Sequence, residues 1–331
     1  MKQDQFIAHY QPLWTAFSAW LDYQQLSKKQ RIKQALTEPA LDFPRTYRQI
    51  CHHLALAQSR MYSPLLIGQL NDLVIRGHNQ LYGARLHFLH RMATFYLRDL
   101  PQLVRSCYRS LLLSGLLFFG SFFAMLIAIQ VEPELIYSVI SGEQVANMET
   151  MYDPARTTRF GREREADSDV FMFGFYIRNN TGIGFQVFAG GMLFGLGSLF
   201  FLLFNGLTIG AVAGHLTQLG YIETFWGFVA GHSAFELTAI VLSGVAGFQL
   251  AQALIMPGRK SRLLALRDNS QIAIQIVYGA ATLFIMAAFV EAFWSSQVWI
   301  PVTVKYTIGV VLWVMVIGYF ALVGRGRARA A

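Results

Sequence analysis

The sequence predicts an all-α, polytopic membrane protein with about six transmembrane helices and an N-terminal cytoplasmic helical domain. Of its 331 residues, 54% are hydrophobic and only 14% are charged, whereas roughly 25% of the residues in soluble domains are charged. Several uncharged runs reach the roughly 20 residues that a helix needs to cross a hydrocarbon core of about 30 Å. The composition excludes a disordered chain, and two cysteines are too few for a disulfide-rich secreted domain.

Residues 1–109 are expected to form the cytoplasmic domain. Apolar side chains in its first predicted helix recur at steps of three or four residues, as along one face of a helix. This stripe consists of Phe6, Tyr10, Leu13, Phe17 and Leu21. Two further helices are predicted to begin near Pro44 and Pro64, because the first turn of a helix tolerates a missing N–H group. A fourth begins near Ala84 and leads into the first span.

Four uncharged runs have the length of a transmembrane helix. They are residues 110–130, 184–204, 271–290 and 306–323. The sequence between them is irregular, because residues 205–219 would make a helix of only about 22 Å and residues 225–256 one of about 48 Å. We therefore expect residues 171–256 to form a glycine-rich membrane core of broken or short helices, in which residues 205–219 are a short span or half of a re-entrant pair. Residues 271–323 are expected to form the last two spans.

The distribution of charge predicts the orientation. Residues 1–109 contain 14 basic and 6 acidic side chains, a net charge of +8, whereas residues 131–170 contain four arginines and nine acids, a net charge of −5. The positive-inside rule then places residues 1–109, 257–270 and 324–331 in the cytoplasm and residues 131–170 outside it. We expect a multi-pass protein of the bacterial inner (cytoplasmic) membrane with both termini cytoplasmic. Its basic residues suit anionic lipid rather than nucleic acid.

His232 and Glu236 are unusual because they are ionisable residues within a predicted membrane segment. They are four residues apart in an apolar run, so they share one face of a helix. A charge at the centre of a bilayer costs at least roughly 2.5–3.5 kcal/mol, so such groups usually find partners. Three interpretations stay open: a pair that holds broken helices together, a site for protons or ions, and a metal site. In the last, His232 and Glu236 would be ligands, and His215 or Asn205 would complete the set.

Glycines repeat at helical spacing in the membrane core. Gly206, Gly210 and Gly214 are four residues apart, and Gly231 follows Gly227 at the same spacing. Small residues at this spacing let helices in lipid approach closely. The pattern indicates tight packing within the chain, an interface between protomers, or a permeation pathway.

Three asparagines lie near the predicted ends of spans: Asn179, Asn180 and Asn205. Asparagine is a good helix cap and terminator, so a structural role is the first interpretation. The alternative is that broken helix ends line an ion or substrate site at the middle of the membrane, as they do in transporters.

Several motifs together are similar to the stage II sporulation protein M family. In the N-terminal third they are Tyr47-Arg48, Leu54 to Ala57, Leu70 to His78 and Leu81-Tyr82. In the membrane half they are Asn179-Asn180, a glycine-rich span, Asn205 to Gly210, Gly231-His232 and Phe235 to Ile240. Ser233 stands where that family often has glycine. The resemblance implies an integral inner-membrane protein, and the member that names the family holds together a cell-wall hydrolase complex.

The function that we expect is therefore a non-catalytic membrane scaffold of a cell-envelope complex. It would be a homo-oligomer, with a dimer favoured, and would bind lipid and cell-envelope or cytoplasmic proteins. The sequence offers no serine–histidine–aspartate set, no context for a nucleophilic cysteine and no paired catalytic carboxylates, so an enzyme is disfavoured. The alternative is a transporter or channel for a small ion or metal that uses His232 and Glu236. A third interpretation is an intramembrane metal-dependent enzyme, and no cofactor is expected beyond a metal ion.

Overall fold

The structure, a computed structural model, describes residues 2–26, 30, 41–155 and 166–325, and within these ranges all regular structure is helical. The chain divides into two compact units, Met1–Ala93 and Thr94–Ala331. The all-α class predicted from the sequence is confirmed.

The first unit packs three helices around its own apolar core. They are α1 (Gln3–Gln25), α2 (Phe43–Ser59) and α3 (Pro64–Thr94), the last of which begins in this unit. Most of the predicted stripe of α1 is buried, but Trp14 takes the place expected for Leu13. Asp42 caps α2 by accepting a hydrogen bond from the backbone N–H of Arg45. The break predicted near Ala84 is wrong, because α3 continues without interruption to Thr94.

His53 gives the first unit a pH-dependent stability. Trp14 Nε1 donates a hydrogen bond to His53 Nδ1 at 3.1 Å in the core. Burial lowers the pKa of His53 below its ordinary value of 6.5, and the nearby His52 and His9 act in the same direction. Because the unfolded chain takes up a proton that the folded unit resists, stability is complete above about pH 6.5 and falls as the pH drops below it.

We therefore expect a fragment of residues 1–94 to melt at a lower temperature at pH 5.5 than at pH 7.5. Circular dichroism during heating measures this difference. His53→Gln should remove most of the pH dependence, whereas His52→Gln, at an exposed position, should reduce it less, because burial is the larger cause of the pKa shift. Equal melting temperatures at the two pH values for the wild-type fragment would contradict this account.

The second unit is a bundle of long helices. In chain order these are α4 (Leu100–Ser106), α5 (Tyr108–Val131), α6 (Gly142–Tyr152), α7 (Ala166–Ala189), α8 (Leu196–Gln218), α9 (Ile222–Ile255), α10 (Arg262–Val290) and α11 (Val302–Leu322). Turns of π-helix at Phe95–Asp99 and Glu291–Ser295 precede α4 and follow α10. Short 3-10 turns occur at Pro133–Ser138 and Gly190–Met192.

Among the described residues, five helices are long and apolar enough to cross a membrane: α5, α8, α9, α10 with its π-turn, and α11. In α9, 72% of the most apolar window is buried, against 11% in α11, so α9 is the central helix of the bundle. Helix α7 is not among these five, but it runs beside α9 and α10 and carries Arg178, Asn179 and Asn180 in its middle. The prediction of a polytopic membrane protein is confirmed.

Two span predictions are wrong. Residues 184–204 are divided between the end of α7 and the start of α8, because the chain turns at Gly190–Gly195, where Gly195 has a positive φ of 83°. Residues 205–219 are neither a short span nor half of a re-entrant pair. They are mostly the second part of α8, which has 23 residues and a length of about 34 Å. The long run at 225–256 is one unbroken helix of 34 residues.

The domain boundary also differs from the predicted one at residue 109. Residues 94–106 belong to the second unit, where Leu100 is buried against Gly279 and Arg105 donates a hydrogen bond to the carbonyl of Phe320 at 2.7 Å. The basic charge of this segment groups it with the N-terminal third in the sequence, but its contacts place it in the second unit.

The two ends of the bundle differ in charge. We call the end formed by residues 132–155, 219–221 and 296–301 the distal end, and the end formed by residues 190–195 and 256–261 the proximal end. The described distal connections carry five acids and no lysine or arginine, whereas Arg259 and Lys260 lie in a proximal one. This asymmetry agrees with the charge pattern that the positive-inside rule uses.

Helices α5 and α8 approach each other across the predicted glycines. A Cβ atom on Gly206 would lie 2.5 Å from the carbonyl oxygen of Phe118, and one on Gly210 would lie 2.3 Å from that of Phe122. Gly214 faces Leu126 in the same way. The glycine repeat therefore forms a backbone-to-backbone contact within the chain.

Candidate functional site

A cluster of three ionisable side chains lies inside the membrane bundle. His232 and Glu236 come from α9, and Glu291 comes from the π-turn that follows α10. One nitrogen or oxygen atom from each side chain lies within 4.8 Å of the other two. His232 Nε2 and Glu236 Oε2 are 3.7 Å apart. His232 and Glu291 are only 4% and 8% exposed, so the cluster is shielded from bulk solvent.

Local helix geometry brings these groups together. His232 and Glu236 are one turn apart on α9, so they point in the same direction. On the π-turn, Glu291 and Ser295 both face α9, and Ser295 Oγ lies 3.1 Å from His232 Nδ1. Lys305 at the start of α11 donates a hydrogen bond to the carbonyl of Ser295 at 2.8 Å. Single π-turns within helices are frequent at functional sites, and this one supplies Glu291 to the cluster and Ser295 next to it.

Asn180 of α7 lies beside the Glu291 carboxyl. Asn180 is 2% exposed, and its Nδ2 and Glu291 Oε2 form no hydrogen bond of standard geometry within the described residues, although the amide interacts with this carboxyl group. Buried polar atoms are nearly always paired. These two are therefore exceptional and point to the polar centre of the cluster.

A cavity of about 490 Å³ extends from Glu291, on one side of the cluster, to the distal end. Glu291 lies on its wall together with Lys305, and the exposed Glu223 lies where α9 begins. Tyr152 of α6 also lines it, and burial, assisted by the negative charge of Glu291, raises the pKa of this phenol above its ordinary value. Tyr152 therefore stays a neutral hydroxyl group, and the cavity combines carboxylates, an ammonium group and a phenol.

The proximal side of the cluster is closed. A Cβ atom on Gly184 would lie 2.3 Å from the Phe284 ring and 3.0 Å from Ser243 Oγ, so α7, α9 and α10 touch there. Phe284 is two helical turns before Glu291, or about 10 Å along α10. The cluster is thus reached from the distal end and sealed towards the proximal end.

The other predicted site residues do not join this cluster. His215 Nε2 lies 2.7 Å from Glu149 Oε1 of α6, and Asn205 donates a hydrogen bond to the carbonyl of Phe201 in its own helix. The prediction that one of them completes a set with His232 and Glu236 is therefore wrong, because α8 directs them elsewhere. Asn179 donates to Asn180 Oδ1 at 3.1 Å, so it supports the cluster only indirectly.

Sequence reasoning missed Glu291, which completes the cluster. Its signal was present, because Glu291 ends the uncharged run at 271–290 and is followed closely by two serines. The π-turn, which keeps Glu291 within the bundle, is not visible in the hydrophobic pattern.

The fold and this site define a polytopic α-helical membrane protein with a polar site, open to one end, in its interior. The model of the stage II sporulation protein M family matches residues 111–296, more than half of the chain. The chain belongs to this family, as the motifs indicated. The matched region begins in α5 and ends just after Ser295, so it contains the whole cluster.

Two further similarities each concern a smaller part of the chain. A second family model, a domain of unknown function (DUF8413), matches residues 4–83, which lie within the first unit. The chain is 26% identical over 131 residues to "Uncharacterized protein MJ0793" of Methanocaldococcus jannaschii, an alignment that covers 39% of this chain and 73% of that protein. No solved structure matches the chain.

Proposed function

We propose that the membrane half of this protein binds a small cation at the cluster of His232, Glu236 and Glu291 and passes it across the bilayer. The observation that carries the proposal is the convergence of two carboxyl groups and an imidazole within 4.8 Å, next to a cavity that Glu291 lines. Ionisable residues at bilayer depth are costly and typically mark ion or substrate pathways. No catalytic step is part of this proposal.

Electrostatics favour a cation at this position. The carboxyl oxygens of Glu236 and Glu291 lie within 4.8 Å of each other, and two ionised carboxylates at this distance repel each other by about 3 kcal/mol or more at an effective dielectric constant of about 20. The imidazole nitrogen that faces Glu236 adds a third electron-rich atom if its proton is on the other nitrogen. A cation between the three groups is attracted to each of them, and this attraction offsets the repulsion between the carboxylates.

Access from one side agrees with a transport cycle. On the positive-inside rule the distal end faces away from the cytoplasm of the bacterial inner membrane, so the cavity opens outward. Buried polar side chains lie at the Phe284 seal and continue from it towards the proximal end: Ser243, Ser114 and Gln249. Movement of the seal would connect the cluster to this second polar stretch, and the closed and opened states would give alternating access.

Flux measurements in proteoliposomes test the proposal. We expect wild-type protein to take up at least one cation from a panel of monovalent and divalent ions, and Glu236→Gln to reduce the uptake by at least about tenfold. Glutamine keeps the size of the side chain but removes its charge. Thermal stability in detergent, measured in parallel, should be similar for the two proteins. Equal uptake by the variant, or no uptake of any cation by the wild type, would contradict the proposal.

The Phe284 seal gives a separate prediction. Phe284→Ala should let the transported cation leak through the protein several-fold faster, because it removes the ring that closes the proximal side. Dye-based efflux from loaded vesicles measures the leak. Phe289→Ala is the matched control, since that ring on the same helix is exposed and faces away from the cluster. A leak equal to that of the control variant would place the seal elsewhere.

A scaffold role is the second candidate, and the separate N-terminal unit favours it. Residues 1–93 have their own buried core and match a family model of their own, so this unit is a module added to the membrane half. Such a module suits the docking of a cytoplasmic or cell-envelope protein. Affinity purification at native expression level should then recover a partner in near-stoichiometric amount, and deletion of residues 1–93 should remove it.

A homo-oligomer is also proposed, with α7 as its interface. Arg178 and Asn179 are exposed on this helix, and nothing lies within 4 Å of the positions where Gly174 and Gly182 would carry a Cβ atom. An arginine in contact with lipid is costly, and a second copy of the chain would cover it. Cysteine at position 182 should cross-link two chains in membranes, and failure to do so would exclude this face.

A further inference from the structure

The geometry points to a specific ligand for the cluster: a divalent transition-metal ion of the zinc class, held by His232 Nε2, Glu236 and Glu291, with one coordination position facing the cavity. This inference rests on the proposed function and names the class of cation.

The donor set selects the kind of ion. Magnesium and calcium prefer six or more oxygen ligands, whereas an imidazole nitrogen with two carboxylates suits zinc and its neighbours. Catalytic zinc sites have three protein ligands and leave the fourth coordination position open for water or substrate. The described residues supply three ligands here, and Glu291 lies on the cavity wall.

The distances agree with such an ion. Tetrahedral zinc with bonds of about 2.0–2.1 Å holds neighbouring ligand atoms about 3.4 Å apart. The separation of 3.7 Å between His232 Nε2 and Glu236 Oε2 is already close to that value. The largest separation in the cluster is at most 4.8 Å, so a shift of about 1 Å by a carboxylate side chain completes the set.

The groups behind the ligands are arranged as in metal sites. Histidine ligands almost always donate their second ring N–H to a neighbouring acceptor, which fixes the ring and leaves the other nitrogen free for the metal. Ser295 Oγ, 3.1 Å from His232 Nδ1, is in the position of that acceptor. Lys305 donates a hydrogen bond to the backbone carbonyl of Ser295, which holds this residue in place beside His232.

Asn180 is the independent sign of a ligand. Its buried Nδ2 and Glu291 Oε2 lie beside each other but do not form a hydrogen bond of standard geometry within the described residues. When one oxygen of Glu291 binds the metal, Asn180 can donate to the other oxygen. A simple ion pair of His232 with Glu236 would explain neither of these atoms, since it does not involve Glu291 or α7.

Metal binding by the full chain tests the inference. The protein is purified in mild detergent without chelators and dialysed against zinc, and its metal content is measured by mass spectrometry. Competition with a chromophoric chelator gives the affinity. We expect about one zinc ion per chain, with the affinity reduced at least tenfold in His232→Gln and in Glu236→Gln. His215→Gln, which lies outside the cluster, should bind zinc like the wild type.

Two results would overturn the inference: no zinc in the wild type, or full zinc affinity in both cluster variants. If a variant does not fold, X-ray absorption of the zinc-loaded wild type decides instead. One nitrogen and two or three oxygen ligands are expected, and sulfur ligands would assign the ion to Cys51 or Cys107. Zinc binding without flux of any cation would leave this inference intact and remove the proposed function. Flux of a monovalent cation without zinc binding would do the reverse.

Discussion

Replacing Glu291 by glutamine is expected to lower cation uptake by at least about tenfold while leaving the folded bundle intact. Glutamine fills nearly the same space as glutamate, so packing is preserved. It removes one of the two negative charges that attract the cation, and a buried charge interacts more strongly than an exposed one. Uptake by proteoliposomes and melting temperature in detergent are measured on the same preparation.

Glu223→Gln is the matched control for this experiment. Glu223 lines the same cavity but is exposed at the distal end, outside the cluster. Its replacement removes the same charge and should lower uptake by less than about twofold. If Glu223→Gln reduced uptake as much as Glu291→Gln, the effect would come from the general field of the cavity rather than from a site at Glu291.

The second large effect is expected at the turn between α7 and α8. A Cβ atom on Gly191 would lie 2.1 Å from the carbonyl oxygen and 2.6 Å from the Cα atom of Gly247 in the central helix α9. Because both neighbours are backbone atoms, no side-chain rotation can relieve the contact. We expect Gly191→Ala to destabilise the bundle by about 3 kcal/mol, at the upper end of the usual range for overpacking. Thermal unfolding in detergent measures the loss.

Gly174→Ala isolates the effect of contact from that of helix propensity. Gly174 lies in α7, and nothing lies within 4 Å of the position of its missing Cβ atom. Alanine favours helix over glycine by about 1 kcal/mol, so this variant should be as stable as the wild type or more stable. A similar loss for both variants would show that the effect at Gly191 does not come from its close contact with α9.

The class of the protein could be predicted because it depends on composition and length alone. In lipid every backbone N–H and carbonyl must be paired within the segment, so a long uncharged run is a helix in any tertiary context. Residues 110–130 and 306–323 therefore coincide with α5 and α11 to within two and four residues, respectively. The position of a turn inside continuous apolar sequence has no such signal, which is why the break at Gly190–Gly195 was placed wrongly.

The sequence predicts two of the three ionisable residues of the candidate site. His232 and Glu236 share one helix, and the four-residue spacing fixes their relation without knowledge of any other element. Glu291 is 55 residues further along the chain, so its place beside them depends on how α10 packs against α9. Asn180 likewise reaches the cluster only through the packing of α7.

The sequence by itself determined an all-α membrane protein, the family to which it belongs and the paired histidine and glutamate in its apolar interior. These properties follow from hydropathy, helical spacing and local motifs, which act over a few turns. Only the tertiary structure decided that residues 205–219 belong to a full-length helix, that the glycines pair α5 with α8, and that Glu291 completes the cluster. Contacts between distant helices depend on shape and on a π-turn at one helix end, and neither is encoded in the periodicity of a single segment.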